Sequence, residues 1–549
     1  MKNAQSALAL VVTFALVQPV PVRAEEKVDL FAVHKLKREA YDNSKVMETL
    51  FHLTDVIGPR LAGSPSYKQS ADWAVKRLKE FGIDNAKLEA WDFGKGWSYS
   101  RFSMHMTEPS ISPIIGFPLA WAPGTNGPVT AEVIYAPIQT PADIQKWKGK
   151  LKDKIVLIEN SRELALPTSP LAKRYTDAEL DEMLKAAEGG GRPQMTPQML
   201  GLPAGAQIPS DPDGMMRMMR GMRQQRIKFL KEEGVLAVVT TGTKGESGTV
   251  FGTSYGSQDP KNEVPPTAVA IASEQYNRMV RLLNAKVPVK VELDIKAQFH
   301  EDSKESWNVV AELPGTGKNK DEYILIGGHL DSWHGATGAT DNAAACAIMI
   351  ETLRLLKASG VKLNRSVRVG LWGAEEQGLL GSRAYVKEHL AERESMKLKP
   401  EHGKISAYFN IDNGAGKIRG IYAQSNDMAK PIFESWFAPL KDLGVTHVTN
   451  RNTSGTDHLA FDEVGVPGFQ FIQDQMDYSP RTHHSNMDTY DRVQRADMLQ
   501  QVAVMATVVY HAANRDEMMP RKPLPKPRKT EPAKDAAPAP SASSAGQAR

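Results

Sequence analysis

Short apolar runs alternate with stretches of helical spacing through the second half of the chain. Four runs have the length and the aliphatic or aromatic content of buried strands: EYILIGG (322–328), VRVGLWG (367–373), SAYFNI (406–411) and GFQFI (468–472). One helical stretch runs from Asn342 to Ser359, with Asp341 as its N-cap, and another from about Gln377 to Glu392. Strands that alternate with helices predict an α/β fold with a doubly wound, mostly parallel sheet.

A second group of apolar runs lies between residues 125 and 298. It comprises VTAEVIYAP (129–137), KGKLKDKIVLIEN (148–160), KFLKEEGVLAVVTTG (228–242) and VPPTAVAIAS (264–273). In the order of its elements this group resembles a protease-associated domain, so we expect a mainly-β domain inserted into the first. An extra segment, 162–226, has poor strand character; it includes a helical pattern from Asp177 to Ala187 and a run of Met and Arg from Met215 to Arg226. We expect it to be either a lid over the substrate cleft or a partly disordered surface excursion.

The N-terminus has the pattern of an export signal. Lys2 supplies a positive charge, Ala7 to Val17 is apolar, and Val22 and Ala24 are small residues at a cleavage position. The apolar stretch is too short to span a bilayer, so a cleaved signal is favoured over a membrane anchor. The sequence therefore predicts a secreted or periplasmic protein without a stable membrane span, cleaved near Ala24.

Composition narrows the possible partners. Of the 549 residues 41% are hydrophobic and 24% charged, which is ordinary for a globular protein. The net charge is only +4, and the core has no basic stretch interleaved with aromatic residues, so nucleic acid is not an expected partner. Cys346 is the single cysteine, which excludes an intrachain disulfide.

Candidate metal ligands follow the predicted strands. They are His329, Asp341, Glu376, Asp412 and His484, and Glu375 directly precedes one of them. Taken singly, each has an ordinary explanation: an acid at a helix start is favourable, and Asp341 alone would be a helix cap. Ligands at the carboxyl ends of parallel strands converge on one edge of the sheet. Two histidines and three acids are what two zinc ions require if one carboxylate bridges them, and Glu375 is then free to act as a base.

The stretches HLDSW (329–333), AEEQG (374–378) and HHSNMDT (483–489) resemble the co-catalytic di-zinc exopeptidases. That family includes bacterial leucyl aminopeptidases and glutamate carboxypeptidase II, and the carboxypeptidase Q branch is the most similar. The resemblance spans roughly residues 45–510. It implies the zinc exopeptidase fold, two zinc ions per chain, a peptide or dipeptide substrate and a tendency to form homodimers.

The resemblance also implies a role for each candidate. Asp341 bridges the metals, His329 and Asp412 complete one site, and Glu376 and His484 complete the other. Glu375 is the general base that activates the bridging water, and Asp331 is the acid that orients the histidine ligand. His484 is preferred to His483 as the ligand because Asp488 stands four residues after it. Several relatives have an oxyanion-binding tyrosine where this chain has His483.

The expected domain organisation follows from these observations. It is a signal peptide (1–24), a first part of the peptidase domain (25–124), the inserted domain (125–298), a second part of the peptidase domain (299–515) and a disordered tail (516–549). The tail is expected to be disordered because it is rich in Pro, Lys, Ala and Ser.

The sequence thus predicts an exopeptidase, either an aminopeptidase, a dipeptidase or a carboxypeptidase. Two alternatives are a glutaminyl cyclase-like acyl transferase, which works with one zinc, and a receptor-like relative without catalysis. Arg481, three residues before His484, is either an anchor for the carboxylate of a short peptide or an ordinary surface arginine.

Overall fold

The structure is a computed structural model, and it describes residues 26–185, 212–242 and 244–527. The predicted signal peptide and its cleavage site lie outside the described residues. Across the described ranges, no helix combines the length and the apolar content needed to cross a membrane.

The first sheet has eight strands and contains the four that the sequence predicts around the candidate ligands. In spatial order its strands are β1 (Lys87–Asp92), β10 (Glu305–Leu313), β12 (Ser366–Trp372), β11 (Tyr323–His329), β15 (Ile405–Asn410), β18 (Gly468–Gln473), β16 (Ile418–Tyr422) and β17 (His447–Thr449). The central four, β12, β11, β15 and β18, are parallel, whereas β1, β10 and β16 each pair antiparallel with a neighbour. The sheet is therefore mixed at its edges and parallel where the site is expected.

Helices cover both faces of this sheet. In chain order the helices of the described residues are α1 (Leu30–Asp42), α2 (Val46–Phe51), α3 (Pro65–Glu80), α4 (Pro141–Trp147), α5 (Asp177–Lys185), α6 (Pro212–Glu232), α7 (Ser273–Asn284), α8 (Ala344–Ala358), α9 (Leu380–His389), α10 (Lys430–Phe437), α11 (His458–Asp462) and α12 (Arg495–Asn514). Because successive strand residues point to opposite faces, Ile324 and Ile326 pack with α8 and α12, while Leu325 packs with α9 and α11. This two-sided covering confirms the predicted doubly wound fold.

A second sheet of eight strands lies in the part of the chain that includes the expected insertion. Its strands, in spatial order, are β3 (Ser112–Pro113), β2 (Gly96–Glu108), β9 (Lys290–His300), β5 (Val129–Tyr135), β6 (Ile155–Leu157), β7 (Ala237–Thr240), β8 (Thr267–Ile271) and β4 (Gly116–Pro118). Three of them, β2, β3 and β4, precede residue 125. The division into a peptidase domain and an inserted domain stays a prediction.

A two-stranded sheet joins β13 (Ala391–Glu392) and β14 (Lys397–Leu398).

Asp341 is not the N-cap of the helix that follows it, which corrects the sequence prediction. Helix α8 begins at Ala344, and its N-cap, Ala343, makes no side-chain cap hydrogen bond. The backbone of Asp341 is non-helical, with φ −132° and ψ 83°. The physical reason is a contact with a residue distant in the sequence: Asp488 accepts the backbone N–H groups of Thr340 (2.7 Å) and Asp341 (3.1 Å), and so holds this loop out of helical geometry. The Asp341 carboxylate is thereby left for other contacts.

Part of the expected disordered tail is ordered. Met519 is buried and its N–H donates to Ser406 Oγ at 2.9 Å. Arg521 donates to the carbonyls of His402 and Ile405, and Lys522 lies 2.7 Å from Asp462. Residues 516–527 of the expected tail are therefore held by these polar contacts and by the buried side chain of Met519, whereas residues 528–549 lie outside the described residues.

Candidate metal centre

His329 is the last residue of β11, and it meets two acids at the carboxyl edge of the first sheet. Its Nε2 lies 3.3 Å from Asp341 Oδ1 and 3.3 Å from Asp412 Oδ1. Asp412 comes two residues after β15, the strand beside β11. The three side chains offer ligand atoms that all lie within 4.8 Å of one another. Their convergence follows from the parallel pairing of the two strands.

Asp341 also faces a second histidine. Its Oδ2 is 3.4 Å from His484 Nε2, while its Oδ1 faces His329. His484 Nε2 is in turn 2.9 Å from Glu376 Oε2. The Asp341 carboxylate thus lies between two imidazoles, each of which contacts a further acid. In this geometry one carboxylate can bind two cations, one through each oxygen.

Glu376 lies in the loop after β12, with one carboxylate oxygen bound and the other free. Oε2 accepts the indole N–H of Trp333 at 2.7 Å. Oε1 is buried and has no hydrogen-bond partner among the described residues. A buried carboxylate oxygen without a partner is costly. It is the kind of atom that a bound cation satisfies.

Asp331 positions both glutamates of the AEEQG loop. Its Oδ1 accepts the backbone N–H of Glu375 at 3.1 Å, and its Oδ2 is 3.4 Å from the N–H of Glu376. Ala374, which directly precedes Glu375, has φ 55°, a left-handed conformation that non-glycine residues adopt at an energetic cost. The carboxylate of Asp331 also lies 3.6 Å from His329 Nδ1, which contacts the Asp331 carbonyl at 2.9 Å. One buried acid therefore connects the first histidine to the glutamate pair.

This cluster brings several buried carboxyl groups close to one another. Burial raises the pKa of Glu376 well above its usual value, and the neighbouring acids Asp341 and Asp412 add to the effect. Burial, together with Asp412 and Glu376, likewise raises the pKa of Glu375. Burial alone would raise the pKa of Asp341, but the hydrogen bond with His329 and the charge of His484 hold it below its usual range. Crowded buried carboxylates of this kind are stabilised by a cation.

The residues present therefore fit divalent metal ions. Imidazole and carboxylate donors at one sheet edge match the preference of zinc. The Glu376 oxygen that has no partner among the described residues offers a buried ligand atom to one of these ions. A second group of candidate ligands joins Asp341 to both His483 and His484. The imidazole of His483 packs against that of His484, with ring centroids 3.8 Å apart and an interplanar angle of 32°. Burial lowers the pKa of His483 to about 4, which keeps its ring neutral and able to donate a lone pair.

A cavity of about 760 Å³ opens onto this cluster. Its lining includes Asp341, Glu375, Glu376, Asp412, His483 and His484, together with Tyr175, Arg383, Tyr422, Ile472 and Tyr478. Arg481 is not among the described residues that line it. The Arg481 guanidinium lies 3.8 Å from Asp477 instead, so the structure does not bring Arg481 to the place that the anchoring hypothesis requires.

Sequence reasoning missed several residues around the cluster. Arg60 is fully buried, and its guanidinium donates to the carbonyls of Leu330 (2.7 Å), Thr337 (2.7 Å) and Gly338 (2.9 Å). It thereby fixes the loop between His329 and Asp341. In the sequence it stands in GPRLAGS (58–64), which predicts a loop but not a buried guanidinium. Trp333 stands in HLDSW, but that motif does not show that its indole reaches Glu376, and Tyr175 has no local signal because the sequence does not show which residues a loop will reach.

Comparisons with known proteins agree with this geometry. The model for peptidase family M28 matches residues 308–509. The chain is 30% identical over 502 residues to carboxypeptidase Q of Xenopus laevis, covering 91% of each chain. It is 27% identical over 477 residues to carboxypeptidase Q of Mus musculus, covering 86% of this chain and 87% of the relative.

Solved structures are similar over the same extent. The crystal structure of a peptidase M28 precursor from Shewanella amazonensis has a TM-score of 0.64 at 26% identity, covering 90% of this chain and 99% of that one. A zinc aminopeptidase from Bacillus subtilis has a TM-score of 0.54 at 19% identity, covering 85% of this chain and 94% of that one. The second likeness shows the fold alone.

Proposed function

The chain belongs to peptidase family M28 and is a metallo-exopeptidase; from this premise we propose that it hydrolyses peptides with two zinc ions and Glu375 as general base. The observation that carries the proposal is the position of Asp341, whose two carboxylate oxygens face different histidines at 3.3 and 3.4 Å.

The ligand assignment rests on the contacts around that carboxylate. In the proposal Asp341 bridges the two ions, His329 and Asp412 hold one, and His484 and Glu376 hold the other. The pairs His329–Asp412 (3.3 Å) and His484–Glu376 (2.9 Å) support this division. When bound, the zinc ions supply a Lewis acid that polarises the scissile carbonyl and the attacking water.

Glu375 is proposed to move the protons. It is buried beside the ligands and lines the cavity, so it can reach a water and a substrate there. A carboxylate at this position can accept a proton from the attacking water. The same carboxyl then passes that proton to the leaving amine. The hydrogen bond from its backbone to Asp331 fixes the loop during both transfers.

His483 is proposed to face the oxyanion. It lines the cavity next to His484, and its ring also packs against Tyr478 at 4.9 Å. Because burial keeps this imidazole neutral, one ring nitrogen carries a proton that can be donated to a developing negative charge.

The alternatives make different demands on the same residues. A single-zinc acyl transferase would leave one histidine–acid pair without a metal. A receptor-like protein without catalysis has no use for a buried Glu376 oxygen that is left open for a cation. Both pairs are complete among the described residues, which favours the exopeptidase. Secretion after cleavage near Ala24, the homodimer, and the protease-associated character of the second sheet belong to the same proposal.

Metal analysis tests the proposal directly. The purified chain is dialysed against a chelator, and zinc is then returned while peptide hydrolysis and bound zinc are measured together. The proposal expects two zinc ions per chain and recovery of dipeptide hydrolysis. One ion with cyclisation of N-terminal glutamine would support the acyl transferase, and no bound zinc would contradict the proposal.

A further inference from the structure

A segment inserted between two strands of the second sheet crosses to the first sheet. Residues 171–185, here called the strap, follow β6 in the chain but pair with residues beyond β18. The backbone of Lys173 exchanges two hydrogen bonds with Met476, at 2.9 and 2.7 Å. Further along, α5 contacts the far edge of the first sheet, where Asp181 lies 3.2 Å from His447 of β17. The strap therefore belongs spatially to the candidate metal centre rather than to its neighbours in sequence.

Two buried carboxylates fix the strap in place. Arg174 lies 3.1 Å from Asp474 and 2.9 Å from Asp497, whose side chains are only 1% and 2% exposed. Asp474 also accepts the backbone N–H of Tyr175 at 3.0 Å and pairs with Arg419 at 3.1 Å. A buried carboxylate that loses its cation is strongly destabilised. The position of the strap is thus specified by the first sheet and by Arg174.

This anchoring places Tyr175 in the wall of the cavity. The Tyr175 carbonyl accepts a hydrogen bond from Arg419 at 2.8 Å, which fixes the backbone at that residue. Its ring lines the cavity together with Tyr422 and Ile472. The hydroxyl of Tyr422 in turn contacts Met183 of α5 at 3.7 Å. A second contact therefore links the strap to this wall.

The lining of the cavity combines two kinds of residue. Along with the acids and imidazoles of the proposed hydrolytic site, it includes Tyr175, Tyr422 and Ile472, which have large apolar surfaces. Aromatic and aliphatic walls of this kind favour an apolar side chain, because its burial removes apolar surface from water. Charged substrate side chains would find no opposite charge on these three residues.

We propose that Tyr175, held in the cavity wall by the strap, forms together with Tyr422 and Ile472 a subsite for an apolar side chain of the peptide. The inserted segment then sets which substrates the enzyme selects. This inference rests on the proposed function at the same site, and it adds the class of side chain and the residue that selects it.

Kinetics on paired dipeptides test the subsite. We would measure kcat and KM for X-Ala and Ala-X, with X being Ala, Leu or Phe, in the zinc-loaded enzyme. Tyr175→Ala is expected to lower the ratio of kcat/KM for Phe over Ala about tenfold at one position, mainly through KM. Tyr175→Phe keeps the ring and is expected to keep that ratio within about twofold. Tyr41→Ala, an exposed tyrosine on α1, is the control for loss of a phenol elsewhere.

A second variant tests the role of the strap without touching the cavity. Arg174→Ala removes the arginine beside Asp497 and one of the two arginines beside Asp474, and it is expected to shift the Phe-to-Ala ratio in the same direction as Tyr175→Ala. It should also speed proteolytic cleavage within residues 171–185. Lys185→Ala, which removes an exposed ion pair with Glu182 on the same strap, is the matched control.

The outcomes separate this inference from the proposed function. Wild-type enzyme that hydrolyses none of the dipeptides would contradict the proposed function and the subsite with it. Active wild-type enzyme whose Tyr175→Ala variant keeps the wild-type ratio at both positions, or loses all substrates equally, would overturn the subsite alone. In every variant zinc content is measured, so that a loss of metal is not mistaken for a loss of selectivity.

Discussion

Trp333 donates its indole N–H to Glu376 Oε2 at 2.7 Å, and so fixes one oxygen of a carboxylate whose other oxygen has no partner among the described residues. Residues that orient metal ligands in this way typically affect metal affinity by about 10–100-fold. The contact therefore belongs to the candidate metal centre, although Trp333 itself is not a proposed ligand.

Removing that donor should weaken zinc binding. Trp333→Phe keeps an aromatic ring but cannot donate to Glu376, so we expect zinc affinity to fall about 10-fold or more. Competition with a chromophoric chelator measures the affinity. Trp91→Phe, a partly exposed indole of β1, serves as the control. Unchanged affinity in Trp333→Phe would show that Glu376 does not depend on this hydrogen bond.

Asp331→Asn should affect both halves of the site. The amide retains one oxygen for the backbone N–H of Glu375 but loses the second acceptor and the negative charge beside His329. We expect a fall in zinc affinity of about 10–100-fold together with a lower kcat. Isothermal titration with zinc and steady-state kinetics check the two effects. A loss of kcat at full zinc occupancy would instead assign Asp331 to the reaction alone.

Arg60 should support the loop that carries these ligands. It is fully buried and donates to several carbonyls, so Arg60→Met keeps the volume but removes the donor from the carbonyls of Leu330 and Thr337. We expect the free energy of unfolding to fall by about 2–4 kcal/mol. Urea unfolding followed by circular dichroism measures it. Arg383→Met, whose side chain is 45% exposed, is a control for the loss of a guanidinium and should change the stability far less.

The stability should also depend on pH through His389. Hydrogen bonds with Glu401 and Glu89 raise the pKa of His389 to about 9 in the folded chain, above its usual value of 6.5. A raised pKa stabilises the folded state fully below pH 6.5, and this contribution disappears as the pH rises through 9. His389→Gln should therefore lower the urea midpoint at pH 6 and leave it unchanged above pH 9. Equal midpoints of variant and wild type at pH 6 would contradict the assigned charge.

The sequence predicted the parts of the fold in which local pattern and tertiary structure agree. Each of the four apolar runs is a strand of the first sheet, because its side chains are buried on both faces. The N-cap at Asp341 was predicted wrongly, since Asp488, nearly 150 positions away, binds the backbone there. Contacts between residues distant in sequence leave no trace in local periodicity.

Local sequence pattern predicted some residues of the candidate site and not others. The sequence identified the residues that the structure brings together around Asp341, because each follows a strand whose end lies at one sheet edge. It could not show that Arg481 would turn towards Asp477 or that Tyr175 would reach the cavity. Those positions depend on how loops cross between sheets, which requires the three-dimensional structure.

The central claim is that Glu375 acts as the base and the adjacent Glu376 as a zinc ligand. A zinc titration of two matched variants tests it most directly. Glu375→Gln removes the proposed base but no proposed ligand; it should bind two zinc ions and lose about 10²–10⁴-fold in kcat. Glu376→Gln keeps the base but weakens one zinc site; it should lose zinc first and regain activity as zinc is added. If Glu375→Gln sheds zinc and Glu376→Gln keeps it, the assignment is reversed, and if neither change affects zinc or kcat, the di-zinc account is contradicted.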